Sequence, residues 1–514
     1  MKFDRSAGIL LHPTSLPGSF GIGDLGSQAF RFVDFLKESG QTLWQVFPLG
    51  PTGYGDSPYQ CFSAFAGNPL IISPEKLKED GFLSQDDLKS TVQYDQKRID
   101  YGQVIDFKKT ILKKVYINFK NKSSALKEDF ENFCNSQLEW LDDFALFMAL
   151  KEYHGGAVWS SWEKGLVHRD KKVLAEWTKK LADEIEYHKF VQFTFFRQWD
   201  ALRKYANEKG IKIIGDMPIF IAYDSSDLWA NKELFTVDEE GKLTFVAGVP
   251  PDYFSKTGQL WGNPLYKWDE MEKDDFLWWR KRFSSLFQLV DIVRIDHFRG
   301  FEAYWKIPGG EKTAQKGKWT KAPGEKLFKS LKKHLGELPI LAEDLGVITP
   351  PVEALRDEFG FPGMKVLQFA FGTNMETKFL PHNFVPNCVV YTGTHDNDTT
   401  RAYFEKEKLN KGKNDIYEHA QIYLNYFAED ILSELIRVAY ASVANIVVIP
   451  MQDILNLGTD ARMNFPSTTG GNWSWRFTWD QVGENISKHY NGLTQLYERP
   501  PKPKIDENID VEEA

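Results

Sequence analysis

Short runs of valine, isoleucine and leucine recur along the chain, each closed by polar or charged residues. They fall at residues 8–11, 42–47, 211–215, 291–295, 339–342, 365–369, 388–391 and 445–449. Apolar runs of this length, bounded by turns, fit strands buried on both faces of a parallel sheet, although their pattern alone does not separate them from buried helix. Stripes with helical spacing lie between several of them. Residues 28–38 place Ala29, Phe32, Val33 and Leu36 on one face and stop near Gly40. Residues 193–209 stop before Gly210, and residues 274–288 lead into the fourth run. Residues 351–359 begin with a proline in the first turn, where its missing N–H costs nothing. Alternating strands and helices predict a parallel sheet. Eight strands with large insertions predict an α/β fold of the (β/α)8 TIM-barrel type rather than a doubly wound sheet.

The spacing of the runs divides the chain. Residues 1–65 carry strands one and two. Residues 66–210 are too many for one crossover and are charged and helix-like, as at 111–120 and 138–153, so they read as a helical insertion leading into strand three at 211–217. Residues 218–270 form a second insertion, rich in Trp, Pro and Gly, with an expected lid loop at 247–264 over the active site. Residues 271–498 hold the remaining strands. Residues 499–514 are polar and acidic and are expected to be a mobile tail.

Composition narrows the function. The chain of 514 residues is 42% hydrophobic and 26% charged, ordinary for a globular protein. Its net charge of −9 leaves no electrostatic footprint for nucleic acid or an anionic membrane. Three widely spaced cysteines argue against a disulfide scaffold and for a reducing compartment. The longest apolar stretch, 443–451, contains Asn445 and Pro450 and is far below the roughly 20 residues that span a bilayer. The expected location is the cytoplasm. Aromatic residues make up 15% of the chain, a surplus that suits the stacking of flat, polar-rimmed rings such as sugars.

Carboxylates collect where the runs end. Asp216 follows in IIGDMP, Asp296 in VRIDHFRG, Glu343 and Asp344 in ILAEDLG, Asp396 and Asp398 in TGTHDNDT, and Asp453 in PMQD. Barrel enzymes build their sites at that end of the strands. A single acid there reads as a cap or an ion pair, whereas several on one rim read as a site. Arg294 and Asp296 are two apart and share a strand face, so the guanidinium favours an ionised carboxylate. Glu343 and Asp344 point opposite ways, and spacing does not choose between them. Retaining glycoside chemistry needs one nucleophilic carboxylate and one protonated acid about 5–5.5 Å apart.

Three other readings fit less well. GIGDLG, at 21–26, matches a dinucleotide-binding pattern, but Asp24 would repel a pyrophosphate and the next strand ends in Phe47 and Pro48 without an acid. His297, His395, Asp296 and Asp396 could form a metal site, yet the first strand offers only His12 and no His-x-His pair. The same histidines can donate to sugar hydroxyls instead. A non-enzymatic sugar-binding protein would account for the aromatics and not for the acids.

With VRIDHFRG, AEDLG and THDNDT in hand, the chain resembles the 4-α-glucanotransferases known as amylomaltases or disproportionating enzymes, in the α-amylase superfamily. The likeness runs through GILLHPTSLPGSFGIGDLG, WQVFPLGPTGYGDSPYQ, GDMPIF, PPDYFSKTGQLWGNPLY and MQDILNLGTDARMNFPSTTGGNW, in the family's order. The resemblance implies Asp296 as nucleophile, Glu343 as general acid/base and Asp396 as transition-state stabiliser, and so selects Glu343 over Asp344. Arg294, His395, Asp216, Tyr59, Ser57, Trp261 and Asp252 match its sugar-binding positions. Tyr54 and Tyr101 match places where relatives carry a second glucan contact. The implied activity moves α-1,4-glucan segments from a donor to the 4-hydroxyl of an acceptor glucan or glucose, with no cofactor and no metal. A retaining α-glucan hydrolase is the alternative. Transfer rather than hydrolysis calls for water exclusion, and Tyr253 and Phe254 in the expected lid supply flat apolar surface for it. No nucleic-acid or membrane partner is expected, and nothing in the sequence sets an oligomeric state.

Overall fold

Each of the eight apolar runs becomes a stave of one closed barrel. The computed structural model describes residues 3–500, apart from 90–91, 123–125, 252–254, 373–376, 411–415, 425–429, 469 and the side chain of Tyr54. Its strands are β1 (Ser6–Leu10), β2 (Leu43–Gln45), β3 (Lys212–Pro218), β4 (Phe245–Val249), β5 (Gln259–Pro264), β6 (Ile292–Asp296), β7 (Ala303–Pro308), β8 (Lys318–Lys321), β9 (Ile340–Ala342), β10 (Gly363–Val366), β11 (Cys388–Tyr391) and β12 (Ile446–Pro450). The barrel runs β1-β12-β11-β10-β9-β6-β3-β2, and each pairing is parallel. The sixth run shows the largest shift: β10 starts at Gly363, and Leu367–Phe369 is a 3-10 turn rather than strand. The run extends past the strand because Leu367 in that turn is itself fully buried. Gly8 sets the closeness of β1 and β2, because a Cβ there would lie 2.4 Å from Leu43.

The helical stripes extend beyond the segments their apolar residues mark. Ser27–Glu38 buries the expected face plus Phe35. The stripe at 193–209 is the second half of Ala182–Glu208, whose buried side continues back through Phe190, Tyr187 and Ile185. Tyr101–Asn121, Leu126–Ser136 and Leu141–Tyr153 pack on that long helix. It therefore joins the first insertion to the barrel.

The second insertion differs from the expected irregular lid. The ends of 247–264 are the antiparallel strands β4 and β5, which continue through β7 and β8 into a four-stranded sheet ordered β5-β4-β7-β8. Glycine and proline content made this stretch look like loop. In the fold Gly258 makes the return between β4 and β5 at φ 67°, where a Cβ would strike the Val249 carbonyl. One face of the sheet packs Ala247 and Tyr304 into the main core, and the other gathers Val246, Ile307 and Ala314 into a small core of its own.

The N-terminal end of the barrel is closed by Arg499. It is fully buried, and its guanidinium donates to the carbonyls of Tyr440, Ser6, Asn445, Ser442 and Ala444 at 2.9–3.3 Å. Burial, reinforced by the like charge of Arg5, brings its pKa down to about 9, so it remains charged at neutral pH. Among the described residues no helix is long and apolar enough to cross a membrane.

Candidate active site

At the opposite end, the strands open into a cleft of about 1350 Å³. It brings together Ser57, Tyr59, Trp261, Arg294, Asp296, Glu343, His395 and Asp396, eight of the residues singled out from sequence. Asp296 is the last residue of β6. The two-residue period of the strand puts Arg294 on the same face, and Arg294 Nη1 reaches Asp296 Oδ1 at 3.2 Å. The same nitrogen donates to Asp216 Oδ2 on neighbouring β3 at 2.5 Å, and Tyr59 Oη donates to that oxygen at 2.7 Å. Asp216 is thus a fully buried anchor for Arg294 from outside the cleft lining. Burial works against the charge on Arg294, and the carboxylates of Asp216 and Asp296 restore it. Burial, aided by Asp216, raises the Tyr59 phenol well above its ordinary value, so it stays a donor.

Glu343 follows β9, the stave beside β6. Its carboxylate accepts from two backbone amides, His297 to Oε2 at 2.7 Å and Leu345 to Oε1 at 2.8 Å. The first bond depends on an unusual backbone. His297 sits in the left-handed region at φ 54°, ψ 51°, and this turn straight after Asp296 aims its amide at Glu343. Such a conformation costs on the order of 1 kcal/mol for a residue with a Cβ and persists where its surroundings over-determine it. Here the Trp261 ring meets the imidazole edge-on at 4.8 Å.

Burial raises both acids. Asp296 is pushed well above the usual carboxylate range, against Arg294 and with help from Asp216, Glu343 and Asp396. Glu343 is also raised by burial, against Arg294 and its two amide donors. The charge of Glu343 contributes to the rise at Asp296, so the two titrations are linked.

Asp396 lies on the loop after β11 and is half exposed. Asn464 Nδ2 donates to its Oδ1 at 2.7 Å, and Arg462 holds its backbone carbonyl at 2.8 Å. The buried His395 stacks on Tyr59 at 5.1 Å, and desolvation lowers its pKa, which leaves it neutral. Ser57 turns the loop beneath Tyr59, with its hydroxyl accepting the Tyr59 amide at 3.2 Å.

Several strand-end acids belong to the fold instead. Asp344 turns away from the cleft, accepting from Arg356 at 2.5 Å and from the Met364 amide at 2.7 Å. Adjacent residues on opposite faces thus divide into one acid in the cleft and one in the frame. Asp453 is buried and holds Thr392 and both donors of Thr400, and Asp398 accepts from Thr399 and Thr459. Of the strand-end acids, Asp296, Glu343 and Asp396 share the cleft, with Asp216 behind them. Asp24 of GIGDLG is likewise used internally: it accepts the Gly26 amide at 2.9 Å and faces Lys108 at 3.9 Å. No three His, Cys, Asp or Glu side chains among the described residues are grouped as metal ligands.

Tyr101 is tied into the frame. It begins the helix Tyr101–Asn121, packs beside Ile22, Leu70, Ile99 and Val104, and donates its hydroxyl to the Trp473 carbonyl at 2.9 Å. Its hydroxyl is committed to the fold, and the residue as a whole stays partly exposed. Asp252, Tyr253, Phe254 and the side chain of Tyr54 lie outside the described residues. Sequence reasoning missed Gln368, Asn464 and Trp473, which also line the cleft. Trp473, at φ 59°, completes a ring cluster with Phe47, Tyr59 and His395. Its one signal was the neighbouring TTGGNW, a turn-rich segment ending in an aromatic.

The chain is similar to known proteins over nearly its whole length. Residues 11–481 match the family described as 4-alpha-glucanotransferase. The chain is 52% identical over 503 residues to the 4-alpha-glucanotransferase of Synechocystis sp., covering 96% of this chain and 98% of the relative. It is 49% identical over 512 residues to that of Thermus thermophilus, covering 97% and 100%. Among solved structures it is similar to the amylomaltase from Streptococcus agalactiae in complex with acarbose, with a TM-score of 0.93 and 41% identity over 96% of this chain and 100% of the other.

Proposed function

This chain belongs to the 4-alpha-glucanotransferase family, and we propose that it moves α-1,4-glucan segments through a covalent intermediate on Asp296. One observation carries the assignment. Neighbouring staves β6 and β9 deliver two carboxyls to one cleft in unlike surroundings: Asp296 touches a guanidinium, and Glu343 does not. The direct ion pair favours the anion on Asp296, and the reaction requires the proton of the pair on Glu343 once a glucan has displaced water.

An Asp296 oxygen attacks the anomeric carbon while the bond to the leaving glucan breaks. Glu343 gives its proton to the departing oxygen. The product is a glycosyl ester on Asp296 and a carboxylate at Glu343. The 4-hydroxyl of an acceptor then attacks the same carbon and yields its proton to Glu343, and the ester bond returns its electrons to Asp296. Two inversions give net retention. Asp396 and the neutral His395 face the sugar hydroxyls, and the carboxylate stabilises the positive charge that builds at the ring. Donors are maltooligosaccharides or starch-type glucans, and acceptors include glucose. The three cysteines are unpaired, in keeping with a cytoplasmic enzyme.

Incubation with maltotriose tests this reading. The expected products are glucose and a ladder of longer glucans with few new reducing ends. A steady gain of reducing ends without a ladder would make the protein a hydrolase with the same pair of acids.

A further inference from the structure

We propose that Asp453 is a positioning residue for the transfer reaction, holding by both roots the loop that carries His395 and Asp396. The proposal rests on the transferase reading and adds to it the group that sets where Asp396 stands. Asp453 lies in the one-turn helix Met451–Ile454 that follows β12, and its side chain is buried. The loop it meets, residues 392–400, begins straight after β11 and ends in the first residue of the helix Thr400–Leu409. Since β11 and β12 are neighbouring staves, the contact crosses the barrel rim between them.

Three donors converge on this carboxylate, and they come from the two ends of the loop. Thr392 Oγ1 donates to Asp453 Oδ2 at 2.5 Å, Thr400 Oγ1 donates to the same oxygen at 2.7 Å, and the Thr400 amide donates to Oδ1 at 2.9 Å. Both threonines are fully buried. Gln368, in the turn after β10, adds a strut: its Nε2 donates to Thr400 Oγ1 and to the Asp398 carbonyl, each at 3.0 Å.

The span between the roots is internally tied. Asn397 Oδ1 accepts from the amide and from the hydroxyl of Thr394, each at 2.9 Å, and Thr394 Oγ1 accepts the Asp396 amide at 3.3 Å. A loop tied in this way moves as one piece, so a shift at its roots reaches Asp396. Asn464 and Arg462 hold the tip of the loop, and Asp453 holds its base. Asp453, Thr392 and Thr400 do not line the cleft, so their effect on rate passes through the loop.

The test is a kinetic cycle on maltotriose with Asp453→Ala, Asp396→Asn and the two combined. Asp453→Ala is expected to lower kcat in the folded fraction about 10- to 100-fold, as for a reacting group displaced by about 1 Å, with KM within about twofold. On the Asp396→Asn background the same change should cost less than about threefold more, because the group it misplaces no longer carries the charge. Losses that multiply in the double variant, a loss carried mainly by KM, or a folded Asp453→Ala protein with unaltered kcat would overturn the proposal. If Asp453→Ala does not fold, Thr400→Val, which deletes the hydroxyl bonds and keeps the amide bond, takes its place in the cycle under the same criteria. Absence of maltotriose disproportionation in the unaltered protein would instead fail the transferase reading, a separate result.

Discussion

The barrel has an arginine buried at each end, and the two are used in opposite ways. Arg499 closes the N-terminal end by donating to five carbonyls, all neutral and all fixed by the fold. Arg294, at the C-terminal end, divides one nitrogen between two carboxylates. The first end is a satisfied cap. The second crowds acids in a buried space and keeps His297 in a left-handed turn to aim one amide. A fold that places repelling acids and strain together does so where a reaction uses them, and the rest of the molecule carries the cost. The two ends should therefore respond to mutation in opposite currencies, rate at one and stability at the other.

The largest separation is expected from Asp296→Asn. Transfer should fall by at least about 10³-fold, as for loss of a covalent nucleophile, with folding intact. The thermal midpoint should hold or rise at neutral pH. Asp296 has a raised pKa in the fold, so the native state binds more protons than the unfolded state, and stability falls as pH rises from the ordinary carboxylate range through the raised one. Removing the acid removes that penalty, so any gain should shrink on acidification. Melting curves of both proteins across pH check this, and a large drop in midpoint at neutral pH would assign Asp296 to the frame.

Arg499→Ala should show the reverse, a loss of about 2–4 kcal/mol with kcat nearly unchanged in the folded fraction, because several buried carbonyls lose their donor. Denaturant titration with activity read below the transition measures both terms. A fall in kcat without loss of stability would break the contrast between the ends.

The pH profile is a finer test. The pair needs one proton, so the rate should fall on the acid side as the second carboxyl protonates and on the alkaline side as the last proton leaves. The alkaline limb should lie above the usual carboxylate range, because burial raises both groups. Glu343→Gln should abolish that limb. The smallest effect is expected at Tyr101→Phe, about 1 kcal/mol of stability from the lost bond to Trp473, with long and short glucans handled alike.

These contrasts also explain what could be read from the chain. The staves were legible because strands buried on both faces are uninterrupted apolar runs, and Cys388–Tyr391 lies where its run does. The β5-β4-β7-β8 sheet was hidden because Gly248, Gly258 and the paired prolines mimic a loop, and because β7 and β8 come from a distant stretch of sequence. Among the acids, Asp296 was marked by Arg294 two residues away. Asp344 and Asp453 stood at equally suggestive strand ends, but their partners, Arg356 and Thr400, are set by tertiary packing that no local pattern reports. Trp473 and Asn464 reach the cleft on loops, where burial leaves no period.

The central claim is that a glucan is carried on Asp296, and trapping it is the direct measurement. Glu343→Gln should still accept the glycosyl unit from a maltosyl fluoride, whose leaving group needs little protonation, and should lack the base that releases it. Mass spectrometry of the quenched and digested protein should then find the added sugar on the peptide holding Asp296. A label on another residue, or none while the fluoride is consumed, would contradict the account.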